Sequence, residues 1–193
     1  MNSYPIAIDV ERPATMSRAH VFLRLLLVIL LARVIGTSGG LGLLYLGVPV
    51  GAAIFIARLG GERYVAESAK RVRRWLEIAV GLLAFMALLT DEFPGSGTSV
   101  RFHAESSGSP TVTSALLRIV RAIPSALVLG LLSIVSGLVS LIASLSILIL
   151  GRYSEGCWRF QLGFVRWEAR LLGYMASIVD PYPPFSFDTD SAH

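Results

Sequence analysis

Residues 122–151 read AIPSALVLGLLSIVSGLVSLIASLSILILG, thirty positions without one charged side chain. A bilayer core about 30 Å thick is crossed by roughly 20 apolar residues in a helix, so the run is too long for one untilted span. Gly130 and Gly137 mark where the chain is expected to turn, giving two helices; a single long kinked helix is the competing reading. Ser133, Ser136, Ser140, Ser144 and Ser146 lie in the run. With the two glycines they read as small residues for close helix packing.

The rest of the chain agrees with that apolar character. Of 193 residues, 54% are hydrophobic and 16% charged, against about 25% charged in an average soluble domain. Such a chain cannot cover itself with a polar surface, which excludes an ordinary cytosolic enzyme and a disordered chain. The net charge of +4 comes with a single lysine, Lys70, among 17 basic residues. No nucleic-acid-binding signature accompanies the basic residues, and basic residues flanking apolar runs mark the cytoplasmic side of a membrane. Cys157 is the sole cysteine and His20, His103 and His193 are far apart, so neither a disulfide nor a metal site is expected. Acidic Asp9 and Glu11 precede the first apolar run, which reads as a retained anchor rather than a cleaved signal.

The sequence repeats itself. FMALLTDEFP (85–94) lies over YMASIVDPYP (174–183) at an offset of 89, and the same offset carries Arg63-Tyr64 onto Arg152-Tyr153. The front halves match at an offset of 94: LRLLLVILLARVIG (23–36) over LRIVRAIPSALVLG (117–130), and PIAIDVE (5–11) over SVRFHAE (99–105). The five-residue difference falls where the first half has Thr37-Ser38-Gly39-Gly40 and the second has no polar loop. Residues 1–95 and 96–193 are therefore read as two copies of one unit. Each has a short strand with period-two alternation, apolar helices A and B forming a hairpin, and a longer helix C. In the first copy A is about 20–36, B about 41–58 and C about 62–90. The expected fold is an all-α membrane protein with minor β, about four transmembrane helices and two interfacial helices.

Helix C of the second copy places Glu155, Arg159, Arg166 and Arg170 on one face, with Trp158, Phe160, Phe164 and Trp167 over much of the rest. Charges inside a bilayer are costly, so this helix is expected to lie in the headgroup layer. Its interface residues are then Arg74, Trp75, Trp158, Arg166, Trp167 and Arg170, with arginine offering a planar fork to lipid phosphate. Arg24 and Arg33 sit near the ends of helix A, where they can snorkel without a partner. The pairs Arg63/Asp91 and Arg152/Asp180 recur at the same interval of 28 residues. A straight helix of that length spans about 42 Å, so pairing is expected across the copies, Arg63 with Asp180 and Arg152 with Asp91. Two crossings per copy keep the basic residues on one side, which makes a multi-pass protein with both termini cytoplasmic.

Gly151-Arg152-Tyr153, Arg166-Trp167, Arg170, Tyr174, Asp180 and Tyr182-Pro183-Pro184-Phe185 form a pattern, preceded by Tyr4-Pro5-Ile6, Arg118 and Ala122-Ile123-Pro124. It resembles a bacterial integral-membrane family of unknown function with the signature GRYP…RW…R…Y…D-x-YPPF, with Ser154 in place of a proline. The resemblance implies a protein of the bacterial cytoplasmic (inner) membrane and no established activity.

The sequence carries no P-loop, no Gly-x-Ser-x-Gly and no His-Glu-x-x-His. No catalytic residue, cofactor or metal is expected. The leading reading is a non-enzymatic accessory or scaffold subunit of a bacterial membrane complex, possible settings being lipid or envelope transport. Membrane lipids and other membrane subunits are its partners, nucleic acid is not, and Tyr182, Pro183, Pro184 and Phe185 serve as a docking segment. The alternative is a lipid-binding or membrane-shaping protein that acts alone.

Overall fold

A computed structural model describes residues 4–13, 16–24, 40–93, 99–106 and 108–187. Strand β1 is Ile6–Val10; α1 is Gly40–Leu59; a short α2, Gly61–Arg63, passes through a π-helical turn, Tyr64–Ser68, into α3, Ala69–Met86. Strand β2, Val100–Ala104, precedes the long α4, Val112–Leu150, and α5, Glu155–Met175. Residues 18–24 are also helical.

The alternating segments form a two-stranded antiparallel ribbon in the register Ile6↔Ala104, Ile8↔Phe102, Val10↔Val100. Two further backbone bonds close it, Glu11 N–H to Ser99 O and Glu105 N–H to Pro5 O, both 2.9 Å. Ile6, Ile8 and Val10 are buried and the intervening Ala7 and Asp9 exposed. A two-stranded ribbon is marginal by itself; this one is stabilised by laying its apolar face on α5.

The uncharged run is one helix. Thr111 and Ser114 form a capping box at the start of α4, and Gly151, at φ 67°, ends it with its N–H on Ile147 O. The expected turn between Gly130 and Gly137 does not form. A turn there would have to release backbone groups, and this stretch has no run of polar residues to receive them. Ser133 and Ser144 instead return their hydroxyls to the carbonyls of Gly130 and Ser140, each at 2.7 Å, and stay in the helix. The 39 residues of α4 extend about 58 Å at 1.5 Å per residue.

This overturns the expectation of about four transmembrane helices. Among the described residues one helix, Val112–Leu150, is long and apolar enough to cross a membrane. The apolar part of α1, Tyr45–Leu59, is shorter, about 22 Å against a 30 Å core. Helix A of the first half, apart from its first turn, and the Thr37–Gly39 stretch lie outside the described residues. α3 opens on the basic run Lys70–Arg74 and buries its later apolar residues Leu76, Val80, Ala84 and Phe85.

α5 is corrected as well. It is the central helix, not a helix lying on the surface. α4 packs along one side of it, and β1 and α3 cover others. Trp167, Leu171, Tyr174 and Met175 are fully or nearly fully buried. Gly163 meets the Phe187 side chain at 2.6 Å from where a Cβ would stand, and Gly173 lies directly against Ile6. The reason is that Arg166 and Arg170 find backbone carbonyls inside the fold, described below, while Glu155 and Arg159 stay exposed at its start.

Gly61 at the α1–α2 junction is pressed on the Pro110 carbonyl, where an added Cβ would collide with backbone. Gly61→Ala is expected to lower stability by about 1–3 kcal/mol, the usual range for overpacking. Thermal unfolding in mild detergent measures it, and an unchanged midpoint would contradict the packing described.

Candidate functional site

Helices α3 and α5 end in the same way. Leu88 and Ser177, 89 positions apart, both take positive φ, 63° and 57°. Leu89 N–H bonds back to Ala84 O at 2.9 Å, and Ile178 N–H to Gly173 O at 3.2 Å. These are the six-to-one bonds that close a helix C-terminus, and neither positive-φ residue is a glycine, so the surroundings must hold each bend.

Two buried arginines hold them. Arg118, 3% exposed, reaches from α4 to the end of α5. Its Nη1 donates to Tyr174 O (2.6 Å) and Val179 O (2.5 Å), and its Nη2 to Asp180 Oδ1 (2.5 Å). Its guanidinium lies over the Tyr174 ring at 4.6 Å. Arg24, 2% exposed, does the corresponding work at the end of α3. Its Nη2 donates to Thr90 O and to Asp91 Oδ1 (2.8 Å), and its guanidinium lies over Phe85 at 4.4 Å.

The helix ends are also tied crosswise. Tyr64, from the first half, donates its hydroxyl to Ala176 O at 2.6 Å; Tyr153, from the second, donates to Ala87 O at 3.2 Å. Burial pushes the Tyr64 hydroxyl up to about 12, against a smaller lowering by Arg118. It is therefore a proton donor throughout the physiological range.

A cavity of about 560 Å³ lies between residues 18–24, α3, α4 and α5. Leu83, Met86, Ile134, Leu138 and Leu141 supply apolar wall; Ser133, Ser136, Ser140 and Ser144, Arg24 and Glu168 supply polar groups. Gln161 braces one side: its amide donates to Ser136 O (2.8 Å) and Ser140 Oγ (2.7 Å), and accepts from Ser136 Oγ (2.7 Å). Glu168, two turns further along α5, lines the cavity half-buried. Burial pushes its carboxyl up to about 7. Among the described residues no group of three His, Cys, Asp or Glu side chains gathers to hold a metal.

The residues singled out in the sequence fall in several places. Arg74 and Trp75 are exposed on α3, Trp75 by 68%. Trp158 is half-buried against the core, with the Arg12 guanidinium 6.0 Å from its ring. Arg166, Trp167 and Arg170 are not headgroup ligands at the surface. Arg166 Nε donates to Ile8 O (3.0 Å), Arg170 Nη1 donates to Ser186 O (3.1 Å), and Trp167 is 5% exposed beneath Phe185 and Phe187. The Arg63–Asp180 and Arg152–Asp91 pairs do not form. Arg63 and Arg152 are exposed, and the two carboxylates take Arg118 and Arg24 instead. The start of each copy's last helix does lie beside the end of the other, as the Tyr64 and Tyr153 bonds show, but Arg63 and Arg152 are exposed there, whereas Arg24 and Arg118 arrive buried from a neighbouring helix.

The Tyr182–Phe185 segment folds back on its own chain. The Tyr182 hydroxyl meets Ser125 Oγ at 2.6 Å, its ring packs edge-on to Tyr174, and Pro183 is buried; Phe185 keeps 56% of its surface exposed. The expected docking segment thus packs largely on its own chain, with Phe185 as its exposed part. Arg24 and Arg118 were the functional-site residues missed by sequence reasoning. Their signal was present, since they coincide in the 94-residue alignment. The spacings Arg24–Asp91 and Arg118–Asp180, 67 and 62 residues, differ by the same five residues as the two offsets.

Residues 113–186, which comprise nearly all of α4, α5 and the folded-back tail, match a family model described as a domain of unknown function (DUF4389). The matched segment includes Arg118, Tyr153, Gln161, Glu168 and Asp180. No curated protein and no solved structure matches the chain.

Two outcomes follow from this geometry. Glu168 has a higher pKa folded than the usual 4.5, so the unfolded chain releases its proton first. Stability should fall as pH rises from about 4.5 to about 7 and stay low above that. Glu168→Gln should abolish this slope and raise the unfolding midpoint at pH 8; an identical pH profile in the variant would disprove the assignment. Arg118→Met leaves the Tyr174 and Val179 carbonyls without their donor and is expected to cost about 2–3 kcal/mol, read from denaturant unfolding in detergent.

Proposed function

We propose that the protein is a non-enzymatic accessory subunit of a bacterial membrane complex, anchored by α4 and built from two copies of one unit, 1–95 and 96–193. The observation that carries the membrane reading is the outward face of α4. Its most apolar 18-residue window has a mean hydropathy of 2.5, yet only 11% of the window is buried inside the fold. Leu127, Leu131, Ile149 and Leu150 are each exposed by 65% or more. A core helix of a soluble domain is buried; an apolar face of this extent without cover needs lipid or a partner helix as its solvent. α1 continues the face with Leu46, Ile54 and Phe55.

The duplication is supported by contacts that recur at the alignment offsets. Ile8 faces Phe102, its own equivalent, at the centre of the ribbon. The Arg24–Asp91 and Arg118–Asp180 pairs, the two positive-φ residues and the crossed tyrosine bonds are each matched across the halves. The accessory role is supported by the partly exposed aromatic tail and by the uncovered helix face, both available to neighbouring subunits. The basic start of α3, Lys70 to Arg74, is placed on the cytoplasmic side by its charge.

Affinity purification of the full chain in mild detergent, followed by quantitative mass spectrometry, tests the role. Integral membrane proteins are expected to co-elute in fixed proportion. Recovery of the chain alone, from membranes in which it is abundant, would reject the accessory role. Orientation has a separate test. With Cys157→Ser as background, a cysteine placed by Arg71→Cys is expected to resist an impermeant thiol reagent in intact cells.

A further inference from the structure

The two arginine clamps are equivalent in position but not in how completely they are satisfied. Arg118 spends Nη1 on two carbonyls and Nη2 on a carboxylate. Arg24 places both of its acceptors, Thr90 O and Asp91 Oδ1, on Nη2. Its Nε and Nη1 are buried and meet no acceptor. A buried charged donor left unpaired costs about 1–3 kcal/mol or more, so the orphaned edge calls for an explanation. The ring beneath it supplies none, because Arg118 has the same support from Tyr174 and is satisfied besides.

What differs is the surroundings. Arg24 lines the 560 Å³ cavity, a size within the roughly 300–1,000 Å³ of small-ligand sites. Arg24 stands at one end of it. Tyr153, which follows the α4–α5 turn, donates to the carbonyl of Ala87 in the cavity wall, three residues before the Thr90 carbonyl that Arg24 holds, and so marks the Ser144 end. Glu168 stands at the other, beyond Gln161 toward Ser133. Between Ser133 and Ser144 α4 rises about 16 Å, and the wall along that path is mostly aliphatic. Asp91 and His20 are the other ionisable groups beside Arg24, with His20 Nδ1 3.5 Å from Asp91 Oδ1; Asp91 already lies on Nη2.

We infer that the cavity binds one single-chain amphiphile with an acidic headgroup, a carboxylate or a phosphate monoester. The acid takes the Nε/Nη1 edge of Arg24, and the alkyl chain runs along α4 toward Glu168. A guanidinium edge offers two parallel N–H groups to such an oxyanion. Leu138, Leu141 and Met86 take the chain. The inference is independent of the accessory role, since it depends on the cavity and not on any partner.

The test is native mass spectrometry of the full chain released from maltoside micelles, titrated in parallel with palmitate, 1-palmitoyl lysophosphatidate, hexadecanol and inorganic phosphate. One adduct per chain is expected from palmitate or lysophosphatidate, and the tighter of the two identifies the headgroup. Hexadecanol and inorganic phosphate should bind at least about tenfold more weakly. Arg24→Lys keeps a cation for Asp91 but removes the forked edge, and should erase the preference for the acids over hexadecanol. Gly137→Trp fills the cavity from a position with open space at its Cβ and should abolish all adducts while the unfolding midpoint is retained. Equal binding of hexadecanol and palmitate, equal binding of inorganic phosphate, or undiminished adducts in Gly137→Trp would each overturn the inference.

Discussion

The structure depends on an arginine from one helix satisfying the last carbonyls of another. A helix C-terminus leaves carbonyl groups without intrahelical partners, and inside a protein those groups must be met. Arg118 meets Tyr174 and Val179 at the end of α5 and adds Asp180. That single side chain fixes the start of α4 to the end of α5, while Ser146 Oγ on Arg152 O fixes the opposite ends. The two helices are thus held at both extremes and braced at Gln161 in the middle. The serine-lined cavity is the space that remains beside them.

The same chemistry explains why α5 lies inside the protein. Arginine is always charged but weakly hydrated, and it carries five donors in a rigid fork. Backbone carbonyls at strand and loop positions can also accept from that fork. Arg166 on Ile8 O and Arg170 on Ser186 O thus attach a strand and the tail to the central helix. The aromatic residues that look like a headgroup belt, Trp167 above all, instead form the seat for Phe185 and Phe187.

Much of this was legible in the residues and some was not. The strands could be read because Ile6, Ile8 and Val10 alternate with the smaller Ala7 and the charged Asp9 and recur as Val100, Phe102 and Ala104. The single helix α4 was misjudged because glycines look like turns, whereas Gly130 and Gly137 lie in a helix whose apolar neighbours have no reason to leave it. The Arg/Asp pairing was half legible. Asp91 and Asp180 stand out by their repeat, but their partners were sought at the start of the opposite copy's last helix, where Arg63 and Arg152 are exposed, and not on the helices that carry Arg24 and Arg118. Glu168 was not legible as a cavity carboxyl at all, since its neighbours come from α4, a separate element in sequence.

The crossed tyrosine bonds bear on how the chain is made. The Ala87 carbonyl waits for Tyr153, and β1 waits for β2 and for Arg166. A ribosome delivering the first 95 residues therefore delivers an incomplete object: an unpaired strand edge and a helix end short of its cap. Contacts over separations of 66 to 158 residues form only after most of the second half has emerged, which slows folding and leaves edges exposed meanwhile. Until its counterpart arrives, the first half keeps that strand edge and that helix end unsatisfied.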